Sequence, residues 1–578
     1  TFHPVVSPLD SALSVAFVNV EENSGAPDYY AVPPGVQRPR VLTGGDPSLD
    51  IRLNEQSIAV RVKNLRYNDE RMAVRVLRQT DIFNYKQIKF FIHGDGSMPD
   101  NLPPGAVPTA YAYFRFGIDS ANYYEYRRPL LRNWQDLGIP MKDLTAIKQI
   151  RDANRQNDRQ EFTVPGDPVA KYVIKGNPTL TKVMFLGFGI ANPAERFPND
   201  LTTTMWVDEL RLIDPEDKTD WSALGSAELK LADVGSIIGT FSKSNPNFHR
   251  LEERFGNRVA STNFTIQMQG ALEKFLPKEF KETKLPISYT HAETFEKPVY
   301  EAQSDINVES AAAVAYNSEI QKGSTPEQAQ SVANAVTNRS QTLTVQDQWA
   351  MTGVKLGVPI NHWAIRETIN KVTMGYDYSQ TFERSPVVAE RFKWQWHFNI
   401  TYGLNLPPVS IEPLTWSDKV PIIGSYKAWK INFLPSNFST SLDMRRGRTT
   451  EQSRFLQTPG PVIREFAAQR AAQFSWKLTE NGFLSPVVDY NYSTGSTLAP
   501  LEMDEFGRQR TGNEISKLMF LNGKLINLGD DGVHNQNVTI NFRPKFPDLF
   551  GLNTYLENTG VYTAKYEWRN PLQPDTAL

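Results

Sequence analysis

The hydrophobic pattern of this chain is most regular from Arg391 to Leu406, RFKWQWHFNITYGLNL. The even positions, Phe392, Trp394, Trp396, Phe398, Ile400, Tyr402, Leu404 and Leu406, are all apolar or aromatic. The odd positions, Arg391, Lys393, Gln395, His397, Asn399, Thr401, Gly403 and Asn405, are polar apart from the glycine. A β-strand sends successive side chains to opposite faces, so the stretch predicts one strand with a greasy face and a wet face. The alternation outlasts the usual strand of about 5–6 residues and exceeds the about 9–11 residues that a tilted membrane strand needs. Taken alone, it fits a long soluble strand and a membrane strand equally.

Similar alternation recurs after Pro215-Glu216-Asp217-Lys218. It appears in FTIQMQGALEKFLP (264–277), KLPISYTHAETF (284–295), NKVTMGYDYSQTF (370–382), QFSWKL (473–478), PVVDYNYS (486–493), VTINF (538–542) and VYTAKYEW (561–568). WKINFLPSNFSTSLDM (429–444) changes parity across Leu434–Pro435, which predicts a tight turn at Pro435-Ser436-Asn437 between two strands. The period-two template counts roughly ten such segments. VESAAAVAYNSEIQKG (308–323), TPEQAQSVANAVTNRS (325–340) and TPGPVIREFAAQRAAQ (458–473) have helical composition and are expected as loop insertions near 308–340 and 458–473.

The N-terminal part differs. Residues 1–49 are expected as a strand (Ser11 to Val20) and a Pro/Gly-rich linker. Residues 50–216 contain short strands apolar on both faces, such as IKFFIHGD and VMFLGFGI, and predict a jelly-roll-like β-sandwich. Within it KDLTAIKQIRDANRQ (142–156) predicts a helix with Leu144, Ile147 and Ile150 on one face.

Composition narrows the partners. A net charge of −2 gives no reason to expect nucleic acid, and the absence of cysteine excludes disulfides and thiolate chemistry. Strand alternation keeps the mean hydropathy low, at −0.44, so that value does not argue against a membrane β-barrel. The first residues, TFHPVVSPLD, carry no signal pattern and no initiator Met, so the chain reads as a piece of something longer.

Candidate chemistry is sparse. The seven histidines show no zinc spacing, and no phosphate-binding or nucleophile-elbow motif is present. Asp208 and Glu209 are strand neighbours and point apart, so no carboxylate dyad is expected there. Gly529-Asp530-Asp531-Gly532 reads as a polar hairpin loop rather than a calcium site. Arg445-Arg446-Gly447-Arg448 reads as a basic cluster ending a strand, either solvated or meeting lipid phosphates. No catalytic residue, cofactor or metal is expected, and an enzyme is the class the residues support least.

Specific strings carry a resemblance. LNEQSIAVRVKNL (53–65), FNYKQIKFFIHGD (83–95), NYYEYRRPL, TTMWVDELRL, AELKLADVGS (227–236), KFLPKEFKETKLPISY, NFLPSNFS and NVTINFRPKFPDLFGLN occur in order. Through them the chain resembles the SprA (Sov) family, the outer-membrane translocon of the Bacteroidota type 9 secretion system. The resemblance implies a portion of a very large transmembrane β-barrel that passes folded cargo to the cell surface and is linked to gliding motility. The sandwich would be a cap or loop domain at the surface. Implied partners are cargo with C-terminal type 9 signal domains, a PorV-like shuttle barrel, a plug protein and outer-membrane lipid. On this reading residues 217–578 supply antiparallel barrel strands. Phe392, Trp394, Trp396, Phe398, Ile400, Tyr402 and Leu404 would face lipid, and Lys393, Gln395, His397, Asn399 and Thr401 would face the lumen. Two competing expectations are a carbohydrate-binding jelly roll and a nutrient receptor barrel with an upstream plug.

Overall fold

A computed structural model describes residues 12–38, 52–153, 158–216, 218–302, 304–520, 526–547, 555–556 and 558–570. Residues 1–11 and 39–49 of the expected 1–49 segment and the last residues of the helix expected over 142–156 lie outside these. Strands take up 52% of the described residues and helices 16%, so the described chain is mostly β-sheet. No helix among the described residues is long and apolar enough to cross a membrane. The chain divides into two compact units. The first comprises Thr1–Trp221, Asn245–Val259 and Pro298–Ser340, and the second Ser222–Ser244, Ala260–Lys297 and Gln341–Leu578.

The first unit is a β-sandwich. Its strands are β1 (Ala12–Asn19), β2 (Gln56–Leu65), β3 (Glu70–Thr80), β4 (Tyr85–Gly94), β5 (Tyr111–Asp119), β6 (Asn122–Pro129), β7 (Gln135–Pro140), β8 (Arg159–Val164), β9 (Asp167–Lys175), β10 (Val183–Ala191) and β11 (Leu201–Pro215). One sheet has the order β1-β2-β11-β4-β7 and the other β3-β10-β5-β6-β9-β8. Their facing side chains, among them Val60, Ile88 and Phe90 from one and Phe114, Tyr172 and Ile190 from the other, form a closed core. Gly187 and Gly189 lie inside β10, as a buried strand requires; a Cβ on Gly189 would stand 2.2 Å from the Tyr113 ring.

Helix α1 (Val20–Asn23) follows β1, and α2 (Met141–Ala153) follows β7. The face that α2 buries is not the expected one. Leu144 and Ile147 are buried, but Ile150 is 50% exposed, and Lys148 and Arg151 are buried in its place. Apolar spacing alone missed this because acceptors wait inside. Lys148 Nζ donates to Asp305 Oδ1 at 2.9 Å and to the Pro178 carbonyl at 2.7 Å. The Asp305 carboxylate also accepts from the Tyr124 hydroxyl and the Leu180 amide. Asp305 lies just ahead of α3 (Val308–Gln321) and α4 (Pro326–Ser340), both expected as helices, and this helical hairpin belongs to the first unit.

The second unit is built on one sheet of twelve strands. These are β12 (Ser222–Leu231), β13 (Gly235–Ser244), β14 (Val259–Ala271), β15 (Pro286–Pro298), β16 (Thr342–Lys355), β17 (Val372–Arg384), β18 (Val388–Asn405), β21 (Asn437–Ser453), β22 (Ile463–Lys477), β24 (Val487–Thr497), β25 (Asp530–Phe542) and β26 (Gly560–Arg569). Every register-resolved pair in it is antiparallel. The sheet is open, with β12 and β26 as its edges among the described residues. Three short strands, β19 (Ser410–Ile411), β20 (Lys430–Asn432) and β23 (Thr479–Glu480), form a separate sheet. Helices α5 (Trp363–Glu367) and α6 (Gly512–Phe520) lie in connections.

Four expectations change. The segment expected as a helix near 458–473 is strand β22; its alanines favour a helix, but hydrogen bonding to β21 and β24 on both sides overrides that propensity. Trp429–Phe433 is not the hairpin partner of 438–444, because β20 pairs with β19 and β23 instead. Gly529–Gly532 is not a hairpin loop: Gly529, at φ 79°, leads into β25, and Asp531 pairs with Arg470. The basic run Arg445–Arg448 lies inside β21, which continues to Ser453.

Candidate functional site: a two-faced sheet

β18, with 18 residues, is the longest strand of the sheet. Pro386 sits in the Ser385–Val387 turn before it, where the Ser385 amide donates to the Val388 carbonyl at 2.8 Å. Directly opposed residues of neighbouring strands share a face, so register extends the parity of β18 across the sheet. On the even side, Trp396 stands opposite Tyr378, Tyr378 opposite Trp349, and Trp349 opposite Tyr289. The Tyr289 and Trp349 rings are 4.1 Å apart, and Trp396 meets Phe466 edge-on at 6.1 Å. Phe392 opposes Phe382, Phe398 opposes Tyr376 and Met444, Ile400 opposes Met374 and Leu442, and Leu404 opposes Phe438. Tyr402 donates its hydroxyl to the Glu367 carbonyl. Among the described residues no second layer covers much of this face, and Trp349 remains 48% and Tyr376 45% exposed.

The odd side has different chemistry. Thr401, Ser441, Ala471, Ser493 and Asn535 make one rung across five strands, and Gly403, Ser439, Gln473, Asn491 and Asn537 the next. Gln395 is flanked by Ser379 and Gly447, Lys393 by Thr381 and Thr449, and Asn399 by Gly375 and Asp443. His397 sits between two carboxylates, with Nδ1 3.0 Å from Asp377 and Nε2 2.5 Å from Asp443. Arg391 bridges Glu383 and Glu451. This face is concave: a hollow of about 550 Å³ is lined by Thr401, Ser439, Ser441, Gln473, Asn491 and Asn535 among others. A second, of about 560 Å³, is lined by Ser236, Gln269, Ser288 and Ala350. The sheet therefore curves toward its hydrophilic side. All twelve sequence-selected residues lie on β18, with the seven apolar ones on one face and the five polar ones on the other.

The alternation did not reveal that the aromatic face carries charge near the Arg391 end. Arg446 donates from Nε and Nη2 to the two carboxylate oxygens of Glu502, at 2.5 and 3.0 Å, and its guanidinium lies 5.4 Å from the Trp394 ring centre. Arg445 points the other way and pairs with Glu465. The basic run is therefore split between faces and is not a cluster. Asp347 accepts from Tyr289 and Gln380 and lies 2.8 Å from His291 Nδ1. The 498–528 connection covers part of this face, where Leu498, Ile515 and Met519 pack on Met444, Phe466 and Ala468. Sequence distance hid the Arg446–Glu502 pairing, since 56 residues separate the two.

The sandwich holds a second polar cluster, on the outer side of the β1-to-β7 sheet. The Tyr30 hydroxyl donates to Glu55 at 2.8 Å and lies 2.6 Å from Ser57 Oγ, and burial raises its pKa. Burial, reinforced by the neighbouring Glu55 carboxyl, pushes the Asp208 carboxyl up to about 7. Asp208 thus has a carboxyl neighbour after all, from the segment before β2 rather than from Glu209. His93 stacks on Trp206 at 4.5 Å, and burial lowers its pKa to about 4. Among the described residues no group of three or more His, Asp or Glu side chains is placed to hold a metal.

A one-layer antiparallel sheet, aromatic on one side and concave and hydrophilic on the other, defines a wall rather than a closed-core domain. The SprA_N family model, described as motility related/secretion protein, matches residues 5–311, and the chain belongs to that family. The match spans the sandwich and the strands through β15. No curated protein matches the chain.

Proposed function

We propose that the twelve-stranded sheet is part of the wall of a protein-conducting outer-membrane β-barrel that delivers folded type 9 secretion cargo to the cell surface. The observation that carries this reading is the uncovered aromatic face backed by a concave face of Ser, Thr, Asn, Gln and Gly. An apolar face without a second layer suits hydrocarbon, and a polar inward face suits an aqueous conduit. Small hydroxyl and amide side chains give a passing protein no apolar patch to adhere to. The open edges at β12 and β26 call for further strands to complete the wall, since unpaired edges are unstable in a bilayer. Phe392, Trp394, Trp396, Phe398, Ile400, Tyr402 and Leu404 are assigned to the lipid side, and Lys393, Gln395, His397, Asn399 and Thr401 to the lumen. The sandwich is assigned to the cell surface, and a PorV-like shuttle barrel and a plug protein are the expected partners. The assignment involves no catalysis and no cofactor.

The test is cysteine scanning of the full-length parent in its native outer membrane, made simple by a segment free of cysteine. Cysteines replacing Gln395, Asn399 and Thr401 should react with a charged, membrane-impermeant thiosulfonate. Those replacing Phe398, Ile400 and Leu404 should be protected from it and accessible to lipid-borne probes. Equal aqueous reactivity of both sets would overturn the proposal.

A further inference from the structure

At the end of β18 the chain leaves the sheet and builds a ledge from residues 406–436, joined by residues 478–486. The ledge is anchored through β20: the Asn432 amide donates to the Leu478 carbonyl, and Asn432 Nδ2 donates to the Lys477 carbonyl. Trp476 Nε1 donates to the Asn432 carbonyl at 3.1 Å. Trp476 has the parity of Phe474 and Phe466 in β22, so this bond ties the ledge to the aromatic side of the sheet.

The ledge is apolar where a protein surface is ordinarily polar. Trp416 is 69% and Ile422 54% exposed, and Val409, Ile423, Phe433 and Phe483 are exposed with them. Between them lies a groove of about 440 Å³ lined by Leu414, Tyr426, Trp429, Phe483, Leu484 and Pro486. Gly482 keeps its floor open to the indole, since a Cβ there would stand 2.4 Å from Trp429 Cδ1. Exposed lysines, Lys419, Lys545 and Lys427, the last paired with Asp418 at 2.9 Å, edge the patch. The tip is strained. Ile422 has φ 71° and ψ −55°, and the Ile423 amide donates to the Pro421 carbonyl at 2.8 Å. That is a γ-turn of the unfavourable hand, rare for any residue and costly for a β-branched one. Such strain persists where the surroundings over-determine it, often at a contact site. Here it holds two isoleucines outward.

We propose that this ledge is a membrane-interface collar, with Trp416, Ile422 and Ile423 embedded among lipid chains at one rim of the sheet and the lysines at headgroup level. Tryptophan and aliphatic side chains edged by lysine are the chemistry that settles at a bilayer interface. The Trp476 link makes the ledge continuous with the aromatic face assigned to lipid, on which this inference rests. The collar fixes how deep the sheet sits.

The experiment uses the full-length parent in outer-membrane vesicles, with Ile422→Cys carrying an environment-sensitive fluorophore, and Leu404→Cys and Thr401→Cys in parallel. Ile422 is exposed, and cysteine relieves its β-branching, so the variant keeps the fold. The expected result is blue-shifted Ile422 emission, lost on adding nitroxide-labelled phospholipid and unaffected by aqueous iodide. Quenching by iodide places the ledge in water, and quenching by neither places it under a protein partner. Either result, with Leu404→Cys still quenched by lipid, overturns the collar alone. Failure of lipid quenching at both Ile422 and Leu404 overturns the membrane reading as well.

Discussion

Replacing Asp305 by Asn tests the packing of the first unit most directly. Both charges of the Lys148–Asp305 pair are buried, with side-chain exposures of 1% and 0%. The amide keeps the shape of the carboxylate and one acceptor oxygen, but it removes the charge that offsets the buried ammonium. Removing one partner of a buried pair typically costs about 3–5 kcal/mol, because the other charge stays behind without compensation. The cost should concentrate where Asp305 is the fastener, at the segment that brings in α3 and α4. Hydrogen exchange of the full chain, followed by mass spectrometry, should show amides of 308–340 opening faster by roughly two to three and a half orders of magnitude, at about 1.4 kcal/mol per tenfold. The core strands β5 and β9 should change less. The double variant Lys148→Met with Asp305→Asn should recover most of the protection, because neither charge of the pair remains. The reasoning is refuted if the single variant exchanges like the parent, or if the double variant is as labile as Asp305→Asn alone.

Three further outcomes follow. Arg446→Ala leaves Glu502, whose side chain is 5% exposed, without its cation; the 498–528 connection should loosen by about 3–5 kcal/mol, seen as new protease cleavage there, and unchanged cleavage would count against the pairing. The raised folded-state pKa of Asp208 makes its contribution to stability complete below about pH 4 and lost as pH rises through about 7, whereas the depressed His93 contributes above about pH 6.5 and loses that contribution as pH falls toward 4. Asp208→Asn should therefore leave a sandwich whose resistance to denaturant rises from pH 4 to 7, and a continued decline over that window would refute the assignment. Gly189→Ala places a methyl against Tyr113 and the Arg71 carbonyl, at 2.2 and 2.7 Å, and should destabilise the sandwich by about 1–3 kcal/mol in a thermal melt, where an unchanged midpoint would contradict the packing.

How far the sequence carried the reading depended on the range of the forces involved. The faces of β18 were legible because burial on a sheet has a period of two and needs no knowledge of partners. The helical hairpin at 308–340 was legible from local propensity, and Asn307, whose side chain caps α3 by accepting from the amides of Glu309 and Ser310, agrees with it. Residues 458–473, expected as helix, misled for the same reason: alanine favours helix locally, and only the two neighbouring strands make 463–473 extended. Lys148 was unreadable, since nothing near it in sequence signals that Asp305 will neutralise it. The Arg446–Glu502 and Asp208–Glu55 pairs were hidden in the same way, each joining residues that only the folded chain brings together. The strained Ile422 had no sequence signal beyond the proline before it.

The Lys148–Asp305 bond also sets an order of events. Its partners are 157 residues apart, and four strands of the large sheet, β12 to β15, are encoded between them. Until the segment around Asp305 docks, the Lys148 ammonium has no carboxylate to meet, and closing the core over it would bury an uncompensated charge. An ordinary domain closes its core with its own contiguous sequence. This one keeps a claim on sequence beyond β15, so its core is complete only when that segment has returned to it.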